Sequence, residues 1–385
     1  MHGIDRVKEL FGDRERRGRF AGDFVCHNCK ALNWDEPVFP PYTIRAVGGV
    51  RVGVIGQAFP YVPIAHPRRL VPDLTFGIQE RQAQQLVREL REDRKVDVVV
   101  LLSHNGLSTD VKMAGRVHGI DVVLGGHTHD ALPEPLRVGR TLVVNSGAHD
   151  KFLSRLDLDV RGGAVAGWRY KLIPVLSRFI PEDPDMARLV REIRAPHEAR
   201  LAERLAVSES LLYRRGHFNG SFDEVLLDAL GKQLDAPIAL SPGFRWGVTI
   251  VPGQTITLED VYAHTGLTYP NTQVRELTGA EIHRIMEDVA DNLFHPDPYY
   301  RQGGDMLRVG GLSYTIDPRQ PMGRRISEVR GAGGAPLAAT RRYKVAGWAS
   351  LGPEAPGPPA YDVLARHLRE LKRVKVDTRP RVKIV

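Results

Sequence analysis

The chain has 385 residues, 42% of them hydrophobic and 26% charged, a composition that fills ordinary cores and excludes a disordered chain or a small disulfide scaffold. Its formal charge of +8 fits either anionic substrates and partners or a merely basic surface. No apolar run approaches the roughly 18 residues of a membrane span, and the opening "MHGIDRVKELFGDRERRGRF" has no apolar segment of an export signal.

In chain order, the basic run Asp13–Arg19 lacks interleaved aromatics, as does the later run Arg366–Lys383, so neither nucleic acid nor membrane is expected as a partner. Cys26 and Cys29, in "CHNC", are the only 2 cysteines. A single C-x-x-C reads as a disulfide, half a metal site or two thiols. Thiols are the expectation, because no second pair completes a zinc site. "VRVGVIGQAF" (Val50–Phe59) predicts a buried strand, and Ala83, Leu86, Val87 and Leu90 fall on one helical face. "KVDVVVLLSHNG" (Lys95–Gly106) predicts an apolar strand ending at His104. A short helix then leads to "DVVLGGHTHDALPEP" (Asp121–Pro135), a second strand ending at His127 and His129. "TLVVNSGAH" and "SRLDLDV" predict further strands.

Apolar strands alternating with helices predict an α/β sheet covered on both faces, with ligands gathering outside the strand carboxyl ends. A charged stretch at 177–205 predicts a helical linker between a first domain, 1–176, and a second, 206–385. In the second, Thr278 with Glu281 three residues on has capping-box spacing at the start of a helix. Gly- and Pro-rich "GAGGAPL" and "GPEAPGPP" predict surface turns.

An isolated histidine among 14 means little. His104, His127 and His129 are different, because two strand ends deliver them to one rim. Residues i and i+2 of extended backbone point the same way, so His127 and His129 are expected to aim at one cation with His104. Imidazole suits manganese, iron and zinc alike, so the ligands do not name the ion.

"SHNG" and "GGHTHD" resemble two sequence blocks of the calcineurin-like metallophosphoesterases, and "RVGVIGQAFPY" resembles a strand of their 5′-nucleotidase branch. "FNGSFDEVLLDAL", "ITLEDVYAHTGLTYPNTQVRELTGAEI" and "LRVGGLSYTIDP" resemble the 5′-nucleotidase C-terminal domain. "GQAFPYVPIAHP", "LSPGFRWG", "DNLFHPDPYYRQGGDMLRVGGL" and "YKVAGWA" resemble the SoxB family of thiosulfohydrolases in particular.

The resemblance implies a fold: the C-terminal part of a metallophosphoesterase β-sandwich flanked by helices, plus an α+β 5′-nucleotidase C-terminal domain. It also implies a periplasmic hydrolase with two manganese ions, releasing sulfate from a cysteine S-thiosulfonate on the SoxYZ carrier. His104, His127 and His129 would be metal ligands, and Arg245 a guanidinium clamp for the sulfonate. Tyr299, Asp305 and Arg308 would line the substrate cleft, with Asn105 and Asn219 as weaker hydrogen-bonding candidates. His149 would lie near the rim in a structural role.

The family's earlier blocks carry an Asp-x-His pair, a bridging Asp and an Asn, and they have no counterpart in this sequence. The expectation is therefore a shortened chain with an incomplete metal site and an unpaired parallel sheet edge. Two other readings stand beside this one: a nucleotide phosphohydrolase, and an inactive remnant that binds one metal or the carrier arm. "VAGWAS" and "SPGFRWG" depart from nucleoside-binding patterns and disfavour the first of these.

Overall fold

The computed structural model describes residues 3–13, 15, 17–33, 35–350, 355–377 and 380–385. Parts of both basic runs and of the predicted turn "GPEAPGPP" lie outside the described residues. The chain divides into two units, Met1–Pro181 with Asp297–Gly303, and Glu182–Pro296 with Gly304–Val385. The charged stretch at 177–205 therefore contributes to both.

The first unit opens with α1 (Gly3–Phe11), whose Ile4 and Val7 pack on Cys26, Cys29 and Phe39. Both cysteines are free and buried. β1 (Tyr42–Val47) and β2 (Val50–Gln57) form a hairpin. Next come α2 (Glu80–Arg88), β3 (Val98–Ser103), α3 (Leu107–Arg116), β4 (Val122–Gly125), β5 (Leu136–Val138) and β6 (Thr141–Asn145). They build a six-stranded sheet in the order β1-β2-β3-β4-β6-β5, in which β2, β3, β4 and β6 are mutually parallel.

The period-two alternation of the strands divides the sheet's residues between two cores. Val99, Leu101, Val123 and Val143 face α2 and α3, where Ala83, Leu86, Val87 and Met113 meet them. Val98, Val100 and Val122 face the long hairpin of β7 (Phe152–Arg161) and β8 (Ala164–Pro174) through Leu156, Leu158 and Val160. One face is thus covered by helices and the other by strands, the β-on-β layering expected of a sandwich. The edges differ from expectation. Antiparallel strands β1 and β5 flank the parallel core, and β1 carries Arg45 at its exposed end, which discourages pairing with other chains.

The second unit contains α4 (Pro184–Arg194), β9 (Arg204–Ser208), α5 (Ser221–Gln233), β10 (Ile238–Gly243) and β11 (Thr255–Thr257). These lead to α6 (Leu258–Thr265), β12 (Thr272–Thr278), α7 (Gly279–Phe294), β13 (Asp305–Gly310) and β14 (Leu312–Ile316). The last elements are β15 (Ile326–Gly331), β16 (Arg342–Trp348), α8 (Ala360–Leu371), β17 (Arg373–Val374) and β18 (Val382–Ile384). A four-stranded sheet of order β12-β16-β10-β13 packs its apolar face against Ile282, Met286 and Ala290 of α7.

The predicted capping box is present. Thr278 Oγ1 accepts from the Glu281 amide at 3.2 Å, and the Glu281 carboxylate accepts from the Thr278 amide at 2.7 Å. Thr278→Ala is expected to cost about 1 kcal/mol, seen as a lower urea midpoint; an unchanged midpoint would mean that packing alone sets the helix start.

Among the described residues, no helix is long and apolar enough to cross a membrane.

Candidate active site

The parallel strands end in register. Gln57 lies opposite Ser103, and Gly125 opposite Asn145, so the segments that follow share one rim. Gly125 has a steric reason to be glycine, since a Cβ there would stand 2.2 Å from Asn145 Oδ1. Beyond the strand ends the backbone turns sharply. His127, His129 and His149 adopt φ of 70°, 60° and 57°, a left-handed conformation that costs free energy and gathers at functional sites.

This conformation splits the expected trio of imidazoles. The rings of His104 and His127 lie 5.2 Å apart at 66°, and Phe59 leans on His127 at 4.2 Å. His129 instead meets His149, at 5.4 Å and 77°. The i, i+2 rule fails here because it holds only for extended backbone, and the strand ends at Gly125. Two histidine pairs result. Among the described residues no set of three or more His, Cys, Asp or Glu is arranged to hold a metal. His104 and His127 bring two imidazoles side by side, side chains of the kind that hold part of a divalent site. Although exposed in area, His104 is crowded by the rim, and lost hydration holds its pKa below the usual value.

Beneath the rim runs a buried polar chain that sequence reasoning missed. His27 Nε2 bonds Gln57 Oε1, and Gln57 Nε2 donates to Asn105 Oδ1 at 2.9 Å. Asn105 Nδ2 donates to Asp110 Oδ1 at 3.0 Å, and Ser103 Oγ donates to the same oxygen at 2.6 Å. Asn105 is 1% exposed and both atoms of its amide are engaged internally. The expectation that it hydrogen-bonds substrate is therefore corrected: it fixes the loop that carries His104. Burial raises the Asp110 carboxyl to about 6, against the hydrogen bonds from Ser103 and Asn105. A second stitch joins the two histidine segments, with the Leu107 amide donating to Thr128 Oγ1 at 3.1 Å.

Residues Asp297–Gly303 belong to this first unit although the chain on either side belongs to the second. Lys112 pairs with Asp297 at 2.6 Å and lies 4.0 Å over the Tyr299 ring. Thr109 Oγ1 donates to the Pro298 carbonyl at 3.1 Å, and Tyr61 OH to the Tyr299 carbonyl at 2.9 Å. The Tyr299 hydroxyl bonds Glu80, and burial together with that carboxylate pushes its pKa up. Tyr299 is thus an anchor, where the sequence had suggested a substrate contact. The segment ends at the rim, with His127 Nε2 2.7 Å from the Gln302 carbonyl oxygen.

In the second unit, Arg245 follows β10 between Phe244 and Trp246, whose rings stack at 3.9 Å. Arg308 and Asp305 differ from expectation. Arg308 is fully buried, paired with Asp223 at 3.1 Å and Asp305 at 3.1 Å, and it donates to the Gly216 carbonyl at 2.6 Å. Arg214 completes the cluster, 2.8 Å from Asp223. Both predicted substrate residues are consumed inside an ion network, because a buried charge demands a buried partner. Asn219 is half-buried and donates to Glu224.

Comparison with known proteins defines the class. Residues 211–362 match the family model "5′-nucleotidase, C-terminal domain". The solved sulfate thiohydrolase SoxB of Thermus thermophilus superposes with TM-score 0.93 at 40% identity, over 100% of this chain and 71% of that one. A 5′-nucleotidase precursor of the same organism superposes with TM-score 0.79 at 23% identity, over 94% of this chain and 78% of that one, a likeness of fold. The trifunctional nucleotide phosphoesterase YfkN of Bacillus subtilis is 25% identical over 305 residues, 75% of this chain, which spans only 20% of that longer protein. The fold is that of metallophosphoesterase-type hydrolases of the 5′-nucleotidase superfamily, a class that uses divalent metals. Within it, the chain belongs to the SoxB family.

Proposed function

We propose that the chain serves a manganese-dependent thiosulfohydrolase that releases sulfate from a cysteine S-thiosulfonate on the periplasmic SoxYZ carrier. The observation carrying this reading is the 40% identity to a sulfate thiohydrolase SoxB over the whole chain. The convergence of His104 and His127 at the strand ends supports it. When bound, the divalent cations supply Lewis-acid activation of water and neutralise charge on the sulfone oxygens. His104 and His127 would hold one ion, while His129, turned toward His149, lies apart from that pair. Phe59 covers one face of the His127 ring and keeps water from it. Arg245, a planar fork, takes the sulfonate oxygens. The buried Gln57–Asn105–Asp110 chain keeps the His104 loop from shifting.

The family-model match at 211–362 and the nucleotide-hydrolysing relatives favour one second reading, phosphate release from a nucleotide. The test is a direct comparison, with Mn²⁺, of sulfate release from a glycine-flanked S-thiosulfonated cysteine peptide and phosphate release from a 5′-nucleotide. Sulfate release is expected to dominate. His104→Ala and His127→Ala should each lower it at least about a hundredfold and reduce Mn²⁺ uptake. Faster hydrolysis of the nucleotide would move the assignment to the second reading.

A further inference from the structure

We propose that the strap Asp297–Gly303 is a positioning element for His127 that selects which ring nitrogen meets the cation. This rests on the reading of the rim as a metal centre.

A carbonyl oxygen only accepts, so the 2.7 Å contact with Gln302 places a proton on His127 Nε2. In a neutral imidazole the lone pair then sits on Nδ1, the nitrogen that a cation takes. His127 needs such an outside hold, because at φ 70° it has left the strand and no ladder orients it. The strap is built to provide one. Lys112, Thr109, Tyr61 and Glu80 anchor its first three residues, and their partners on it are Asp297, Pro298 and Tyr299. At its other end Gly303, at φ 82°, comes so close that a Cβ would stand 3.1 Å from His127 Nε2. Rigid anchoring at one end and close approach at the other turn a backbone carbonyl into a fixed orienting group. Such acceptors commonly tune metal affinity through the ligand they hold.

The experiment uses the full chain labelled with ¹⁵N-histidine, with His127→Gln to assign the signals. Long-range ¹⁵N–¹H spectra of the metal-free protein are expected to show His127 as the Nε2–H tautomer. In Lys112→Met/Tyr299→Phe, tautomer mixing and a tenfold to hundredfold weaker Mn²⁺ affinity are expected, the latter read from the free-Mn²⁺ electron resonance signal. An Nδ1–H tautomer in the unaltered chain overturns the inference. So does a double variant with the same tautomer and an affinity within about twofold. If the unaltered chain takes up no Mn²⁺, the metal reading fails and the tautomer comparison alone decides the strap. If the double variant does not fold by circular dichroism, Lys112→Met alone takes its place.

Discussion

Arg308→Ala is expected to lower the stability of the second unit by about 3–5 kcal/mol, the usual cost of removing one partner from a buried ion network. The side chain is inaccessible and reaches Asp223, Asp305 and the Gly216 carbonyl at once. Its loss takes from Asp305 its close guanidinium partner and leaves the exposed His217 ring 3.4 Å away, while Asp223 keeps Arg214. Burial already works against ionised Asp223, and the two guanidiniums oppose that effect. Arg308→Met should recover part of the packing and none of the charge balance. Urea unfolding followed by tryptophan fluorescence reads the effect. An unchanged midpoint with weakened substrate binding would instead return Arg308 to the substrate-contacting role its sequence position suggested.

Asp110→Asn is expected to stabilise the first unit at alkaline pH. The folded-state pKa of Asp110 is raised from 3.8 to about 6, so the native protein holds this proton more tightly than the unfolded chain does. The carboxyl's contribution is fully present below pH about 4 and is lost as pH rises through about 6. At pH 8 the displacement is worth about 3 kcal/mol, which the neutral amide does not lose. The amide also keeps an oxygen for Ser103 and Asn105. It adds a donor where Asp110 Oδ2 now lies buried without a hydrogen bond, close to the equally unbonded Asn145 amide. Urea midpoints at pH 4, 6 and 8 check the sign. The gap between variant and wild type should widen with pH, and a constant gap would show that Asp110 is ionised throughout.

Both residues show where the sequence was legible and where it was not. The apolar runs at Val98–Ser103 and Val122–Gly125 define their strands, because only a sheet covered on both faces takes such segments. Thr278 and Glu281 mark a helix start through a purely local device. The histidines were legible as a rim but not as a geometry. Spacing assumes extended backbone, and the left-handed turns at His127 and His129 send one ring to His104 and the other to His149. Arg308 misled because a guanidinium in a glycine-flanked loop and one inside a strand look alike until partners such as Arg214 and Asp223 are placed. The buried chain from His27 to Asp110 joins segments far apart in sequence, and no local pattern announces it. One sign was readable: Gln57, Ser103 and Asp110 are polar residues set in otherwise apolar or helical surroundings.

The strap also bears on how the molecule is made. The rim histidines have all been synthesised by residue 149, whereas the carbonyl that holds His127 belongs to residue 302. At about 5–20 residues per second a ribosome needs roughly 8–30 s to bridge that interval. During it, the nascent first unit waits without Tyr299, a ring that packs on its main core. Completion of this half is therefore a late event in biosynthesis, and chaperone capture of nascent chains should peak before residue 300 emerges and fall after it.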